Sequence, residues 1–284
     1  SLEDVILQTL ESDRNQEEEE KPKSPGKKIP IIPLNRRPFF PGMAAPILVE
    51  PGPFFELLKQ LMRNKNKYVA LLLTKNEDDP ISDKTTEKHL HKVGVLGRIL
   101  RILPMEQGGV QVVLNMEKRL KVKKIDTSSK LLQAEVTYHE DNTKNLSEEI
   151  KAYSISIIST IKELLKYNPL YKEELQIFLG HSDFADPGRL ADFAVALTTA
   201  SREELQEVLE TFDLLTRINK VLILLKKELD LSRLQSSINQ KLETAISKTQ
   251  REFFLREQLR TIKKELGIEK DDKTCDIEKF EEYY

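Results

Sequence analysis

The sequence predicts an α+β protein: a small β-barrel, then an α-helical bundle, then one long C-terminal helix that protrudes. Nine of the 13 prolines fall between Pro22 and Pro53, and no Gly or Pro occurs between Arg189 and Leu266. Short apolar runs separated by turn residues fill the first half, whereas the apolar spacing becomes helical from about residue 146. A segment of that length without helix breakers must be helical and long.

The elements follow in order. Residues 1–28 hold a short apolar patch (Val5, Ile6, Leu7), the acidic run Glu17 to Glu20 and a Lys/Pro-rich stretch. This composition buries too little surface to offset chain entropy, so a mobile leader is expected. The barrel domain spans 29–140, with strands at Ile29 to Ile32, Ala45 to Val49, Tyr68 to Leu73, Val93 to Leu103, Val110 to Met116, Arg119 to Ile125 and Leu131 to Tyr138. Gly108-Gly109 marks a hairpin, because glycine enters positive φ without a Cβ clash. Phe54, Leu57, Leu58 and Leu61 recur at helical spacing and place one amphipathic helix on the sheet.

The bundle spans 146–228. Ile150, Tyr153, Ile157, Ile161 and Leu164 share one helical face, and Leu175, Phe178 and Leu179 mark a short helix. Asp186-Pro187 starts another, with a capping carboxylate ahead of a first-turn proline; Leu190, Phe193 and Leu197 form its stripe. Ser201 to Glu204 has the spacing of a capping box, followed by Leu205, Val208, Leu209 and Phe212. From about Thr216 to Leu266 one helix of about 77 Å is predicted, with Gly267 as its cap. Only its first turns, through Leu229, carry a dense apolar stripe. In the arm, 229–267, polar residues interrupt the heptad between Glu243 and Glu252, and Leu255, Leu259, Ile262 and Leu266 then resume it. That seam suits packing against another subunit. Residues 268–284 read as a linker.

Composition excludes several classes. Lys+Arg is 45 against Asp+Glu 47, a net charge of -2, which supplies no general drive toward nucleic acid or anionic membrane. The single cysteine, Cys275, cannot close an internal disulfide and fits a reducing compartment. No run approaches the ~18 apolar residues of a membrane span. The leader lacks the apolar core of a signal peptide and the Arg-rich character of a transit peptide.

No phosphate-binding GxxxxGK[ST] loop or GxGxxG turn occurs, so the chain is not expected to bind ATP. His89 and His91 lack a third ligand, so no metal site is expected. His181-Ser182-Asp183 has triad residue types, but adjacent positions cannot align nucleophile, base and orienter. The basic run Lys118 to Lys124 reads as a solvated strand edge in preference to a nucleic-acid contact.

Two apolar features remain. Phe39, Phe40 and Met43 lie in a proline-bounded loop, where they either contact exposed apolar chains or plug the barrel end. Phe253 and Phe254 interrupt the most charged part of the arm and either capture such chains or pack on a partner helix.

Five segments then carry a resemblance: IPIIPLNRRPFFPGMAAP (Ile29 to Pro46), VGVLGRILRI (Val93 to Ile102), DPGRLADFAVAL (Asp186 to Leu197), INKVLILLKKELDLSRLQ (Ile218 to Gln235) and QREFFLREQLRTIKKELG (Gln250 to Gly267). Together they resemble the N-terminal region of the Lon family of ATP-dependent proteases, from Ile29 to the C-terminus. The resemblance implies a PUA-like barrel, a helical bundle and a long helix leading toward an ATPase module and a Ser-Lys protease module. It also implies a homohexamer that uses ATP and Mg to unfold misfolded and regulatory proteins, with this region recognising substrates and supporting assembly. No catalytic residue or cofactor maps onto this chain, so it reads as a non-catalytic part of a serine endopeptidase. A bacterial cytoplasmic protein is expected, with the mitochondrial matrix as the alternative. A stand-alone PUA-like adaptor or RNA-binding module is the runner-up.

Overall fold

The computed structural model describes residues 25–26, 28–63, 67–81, 85–105, 108–126, 132–143, 146–169, 171–173, 176 and 186–266. Nearly all of the leader, the short helix expected around Leu175, Phe178 and Leu179, His181, Gly267, Cys275 and the 268–284 segment lie outside them.

Six strands form one mixed sheet: β1 (Lys28–Leu34), β2 (Ala44–Val49), β3 (Tyr68–Leu73), β4 (Val93–Met105), β5 (Gly109–Asp126) and β6 (Gln133–His139). Their order is β2-β5-β4-β3-β1-β6, and β6 also pairs with β5. Strands β1, β3, β4, β5 and β6 therefore close into a ring, as a small barrel requires, and β2 extends β5 outside it. Only β1 and β3 run parallel. The helix α1 (Pro53–Arg63) lies in the connection between them and buries Leu57, Leu58 and Leu61 against the sheet.

The two runs Val110 to Met116 and Arg119 to Ile125 are one strand, not two. No turn residue separates them; instead Glu117 is an extra residue opposite β4, where the pairing jumps from Leu96↔Lys118 to Gly97↔Met116. The bulge bends β5 at the point where its second partner changes from β2, paired through Asn115, to β6, paired from Arg119. Gly108 adopts φ 77° in the β4–β5 hairpin, a conformation L side chains avoid. All six residues of β3 are buried, because the barrel interior covers one face and the α1 layer the other.

The helices are α2 (Glu148–Tyr167), α3 (Pro187–Ala196), α4 (Arg202–Glu210) and α5 (Leu214–Glu265). Asp186 caps α3 by accepting from the Gly188 and Arg189 amides at 3.0 and 3.2 Å. Ser201 and Glu204 form the reciprocal capping box of α4. The apolar stripes of all four helices meet in one core, joined by Phe40 and Val93 from the barrel. At α5 this core uses Ile218, Val221, Leu222, Leu225 and Leu229.

The chain divides into two compact units, Ser1–Leu229 and Asp230–Tyr284. Among the described residues of the second, all belong to α5 and its last turn, and all are exposed except the half-buried Ser232. No helix among the described residues is long and apolar enough to cross a membrane.

Candidate functional site

Side chains alternate across a strand, so residues paired laterally share a face. In the β2-β5-β4 portion, Ile47, Val112 and Ile102 form one such row, turned into the core. The neighbouring row, Leu48, Gln111 and Leu103, turns outward, and so does Pro46, Val113 and Arg101. Leu48 is 65% exposed, Leu103 37% and Met105 41%. Strands about 4.8 Å apart put Leu48 and Leu103 within about 10 Å of each other across β5. The result is an apolar outer face on an otherwise ordinary antiparallel sheet. Sequence reasoning did not single it out. Its signal was present in β2, where Pro46 and Leu48 alternate with Ile47 and Val49, leaving no polar face.

On the other side of β2, Ile47 lines a cleft of about 390 Å³ together with Phe39, Phe40, Met43, Pro38 and Ala196 of α3. The proline-bounded loop supplies most of this lining. Phe40 itself is only 1% exposed and belongs to the helical core. It therefore leaves the set of candidate contact residues: its ring is used up in joining barrel to bundle. Phe39 is half-buried against the barrel core and Met43 against the helical core, so both keep one side toward the cleft. The loop is anchored by Arg37, which donates to the Thr198 carbonyl at 3.0 Å.

On the arm, Phe253 is 67% exposed and Phe254 61%. Leu255, Leu259, Ile262 and Leu266 are each more than half exposed. At 100° per residue these four cluster on one line, with Phe253 about 150° and Phe254 about 110° away from it. The phenylalanines and the heptad leucines thus lie on different faces of α5.

The barrel is fixed to the bundle by buried charge. Arg119 on β5 makes two 2.6 Å hydrogen bonds to the Asp192 carboxylate on α3 and a third, at 3.1 Å, to the Leu209 carbonyl on α4. Burial alone would lower the guanidinium pKa, but the Asp192 charge and hydrogen bonds outweigh it and hold the pKa above its ordinary value. Arg217 of α5, fully buried, donates to Asp141 after β6, and its Nε lies 3.8 Å from Asp192. Gly188 sits against this cluster: a Cβ there would lie 2.2 Å from Asp141 Oδ2 and 3.0 Å from Arg217 Nη2. Gln206 donates to the Val93 carbonyl at 3.0 Å, and Arg202 to Thr74.

The weaker sequence candidates separate in space. His89 caps its own turn through Thr86, while His91 meets Glu210 at 3.1 Å. Among the described residues no group of His, Cys, Asp or Glu is arranged to hold a metal. In the basic run, Arg119 to Lys121 lie where β5 is paired on both sides, whereas Val122 to Lys124 run past the end of β4 and pair with β6 alone. Within it Lys118 pairs with Glu140 and Arg119 is buried, so its cations do not form one continuous stripe.

This combination of a ring-closed barrel, a capped bundle and a long exposed helix agrees with the family comparison. The family model described as the ATP-dependent protease La (LON) substrate-binding domain matches residues 28–227. The chain belongs to that family. It is 64% identical over 253 residues to a Lon protease of Protochlamydia amoebophila, covering 89% of this chain and 30% of the relative. It is 60% identical over 280 residues to a Lon protease of Chlamydia pneumoniae, covering 99% and 34%. The chain therefore spans about a third of the length of these curated relatives, and corresponds to the N-terminal substrate-binding part of Lon proteases. The fold resembles the solved N-terminal domain of a Mycobacterium avium complex Lon protease, with a TM-score of 0.55 at 20% identity, covering 70% of this chain and 98% of that one.

Proposed function

We propose that this Lon substrate-binding chain captures unfolded or damaged polypeptide through exposed apolar side chains and passes it to an ATP-driven hexamer. The observation that supports the reading best is the outward apolar face of β2 and β4, formed by Leu48, Leu103 and Met105, with Ile47 on the other side of β2 lining the Phe39–Met43 cleft. An unfoldase must hold many sequences, and apolar contact is non-directional, so such a surface discriminates unfolded from folded proteins without reading sequence. Phe253 and Phe254 add a second contact on the arm, and the Leu255–Leu266 seam supports assembly. On this reading ATP, Mg and the serine endopeptidase chemistry belong to other modules of the full protease, working in the bacterial cytoplasm.

Each buried apolar side chain contributes about 1.5–3 kcal/mol, which after association costs leaves an affinity near micromolar for one copy. Several linked copies bind far more tightly through effective concentration alone. The test is a titration of a fluorescent, permanently unfolded polypeptide and of its folded counterpart. Micromolar, salt-insensitive binding of the unfolded form alone is expected; equal binding of both, or binding abolished by salt, contradicts the reading.

A further inference from the structure

We infer that the open edge of β2 takes up an extended polypeptide as an added strand of the sheet. This names the binding mode of the capture role proposed above and rests on that reading. Two features of β2 carry it: the backbone groups it leaves unpaired, and the apolar surfaces on its two faces.

β2 is the outermost strand of the order, and among the described residues it pairs only with β5. The Met116 amide of β5 donates to the Met43 carbonyl at 2.8 Å, and bonded pairs recur at every second residue of an antiparallel ladder. Continued along the register, Ala45, Ile47 and Val49 turn their backbone groups to β5, whereas Ala44, Pro46 and Leu48 turn theirs to the open side. All three of the latter are exposed. The amides of Ala44 and Leu48 and the carbonyls of Ala44, Pro46 and Leu48 therefore line an edge of the kind that accepts another strand. Pro46 brings no amide, and it stands where a strand tolerates proline, with its nitrogen away from the ladder.

The side chains of β2 divide between two apolar surfaces. Ile47 lines the cleft with Phe39 and Met43 on one face, and Leu48 joins Leu103 on the other. A chain lying across one face reaches one surface. A chain added beside β2 reaches both, because its own side chains alternate between the same two faces.

Pro46 also selects the occupant. A second copy pairing edge to edge brings its own Pro46, so a β2 to β2 ladder lacks two donors, whereas an incoming chain without proline meets a single gap. The edge is blunted against self-assembly and left open to unfolded polypeptide. The stretch that fits it is extended, with apolar side chains at consecutive positions. Strands buried on both faces have that pattern, and a folded protein hides them.

The experiment uses the full 284-residue chain and a fluorescein-labelled peptide of seven alternating valine and leucine residues flanked by lysine pairs. Three backbone N-methyl groups are added in two arrangements. On the second, fourth and sixth residues they block one edge of the peptide and leave the other whole; on the third, fourth and fifth they interrupt both edges. The apolar side chains are the same in each. The first form is expected to bind within about threefold of the parent and the second about tenfold or more weaker, because only the second loses its ladder. Equal binding of the two overturns the inference while leaving apolar capture intact. Failure of the parent peptide to bind overturns it as well, and the unfolded-polypeptide titration reports on capture separately.

The protein side supplies two further readouts. Peptide is expected to slow hydrogen exchange at the Ala44 and Leu48 amides and to leave Ala45 and Ile47, already bonded to β5, nearly unchanged; no slowing at Ala44 and Leu48 overturns the inference. Pro46→Ala supplies the missing donor and is expected to tighten peptide binding about fivefold, the worth of one net backbone hydrogen bond. Unchanged affinity in a Pro46→Ala variant that circular dichroism shows to be folded overturns it.

Discussion

Arg119 of β5 and Asp192 of α3, 73 residues apart in sequence, form a bidentate pair with both side chains 2% exposed. This contact lets a barrel and a helical bundle behave as one compact unit, since it also draws in the Leu209 carbonyl of α4. Removing one partner strands the other charge away from water. Asp192→Asn or Arg119→Met is therefore expected to destabilise the chain by about 3–5 kcal/mol, whereas an apolar replacement of both costs much less. Urea unfolding followed by circular dichroism measures it, the chain having no tryptophan.

Gly188 has no special φ; its requirement is space. Because an added methyl group would meet Asp141 Oδ2 at 2.2 Å, Gly188→Ala must displace Asp141 or Arg217 from their pairing. A loss of about 1–3 kcal/mol is expected in the same unfolding experiment. An unchanged midpoint would show that the cluster relaxes freely.

The Glu204 carboxyl is held below its ordinary value, chiefly by the hydrogen bond from the Ser201 amide and then by Lys227. A carboxyl with a pKa lowered by folding adds stability above its unfolded value, and that stability is lost as pH falls through the folded pKa. Wild type should therefore lose stability below pH 4.5 more steeply than Glu204→Gln, while the variant is the less stable of the two near pH 7. Paired pH series of thermal melts check the crossing slopes.

Phe253→Ser with Phe254→Ser is expected to weaken binding of unfolded polypeptide several-fold and to leave the melting temperature within about 1 °C of wild type, because both rings are solvent-exposed on α5. A large fall in melting temperature with binding retained would make the pair a packing element.

Much of this was legible in the sequence because periodicity and caps are local signals. Asp186-Pro187 and the Ser201–Glu204 box cap their helices as the spacing predicts, and Ile157, Ile161 and Leu164 are buried on one face. What was not legible depends on distant partners. Whether Phe40 faces solvent or core is decided by the helical bundle, far along the chain. The buried charges had a faint signal: Arg217 and Glu228 fall on the apolar stripe of α5 with Val221 and Leu225, where a charged residue implies a buried partner. Glu228 indeed accepts from the amide and hydroxyl of Thr199, at 2.9 and 2.7 Å. The division of Val110–Ile125 into two strands failed because a bulge at Glu117 needs no turn residue to announce it.

In the proposed function the outward apolar face of β2 and β4 captures unfolded protein. Replacing Leu48 and Leu103 together by Ser, and titrating a labelled unfolded polypeptide into wild type and variant, tests it directly. Affinity is expected to weaken about tenfold or more with only a modest fall in melting temperature, since Leu48 is 65% exposed and Leu103 37%. Undiminished binding by a folded Leu48→Ser/Leu103→Ser variant would contradict it.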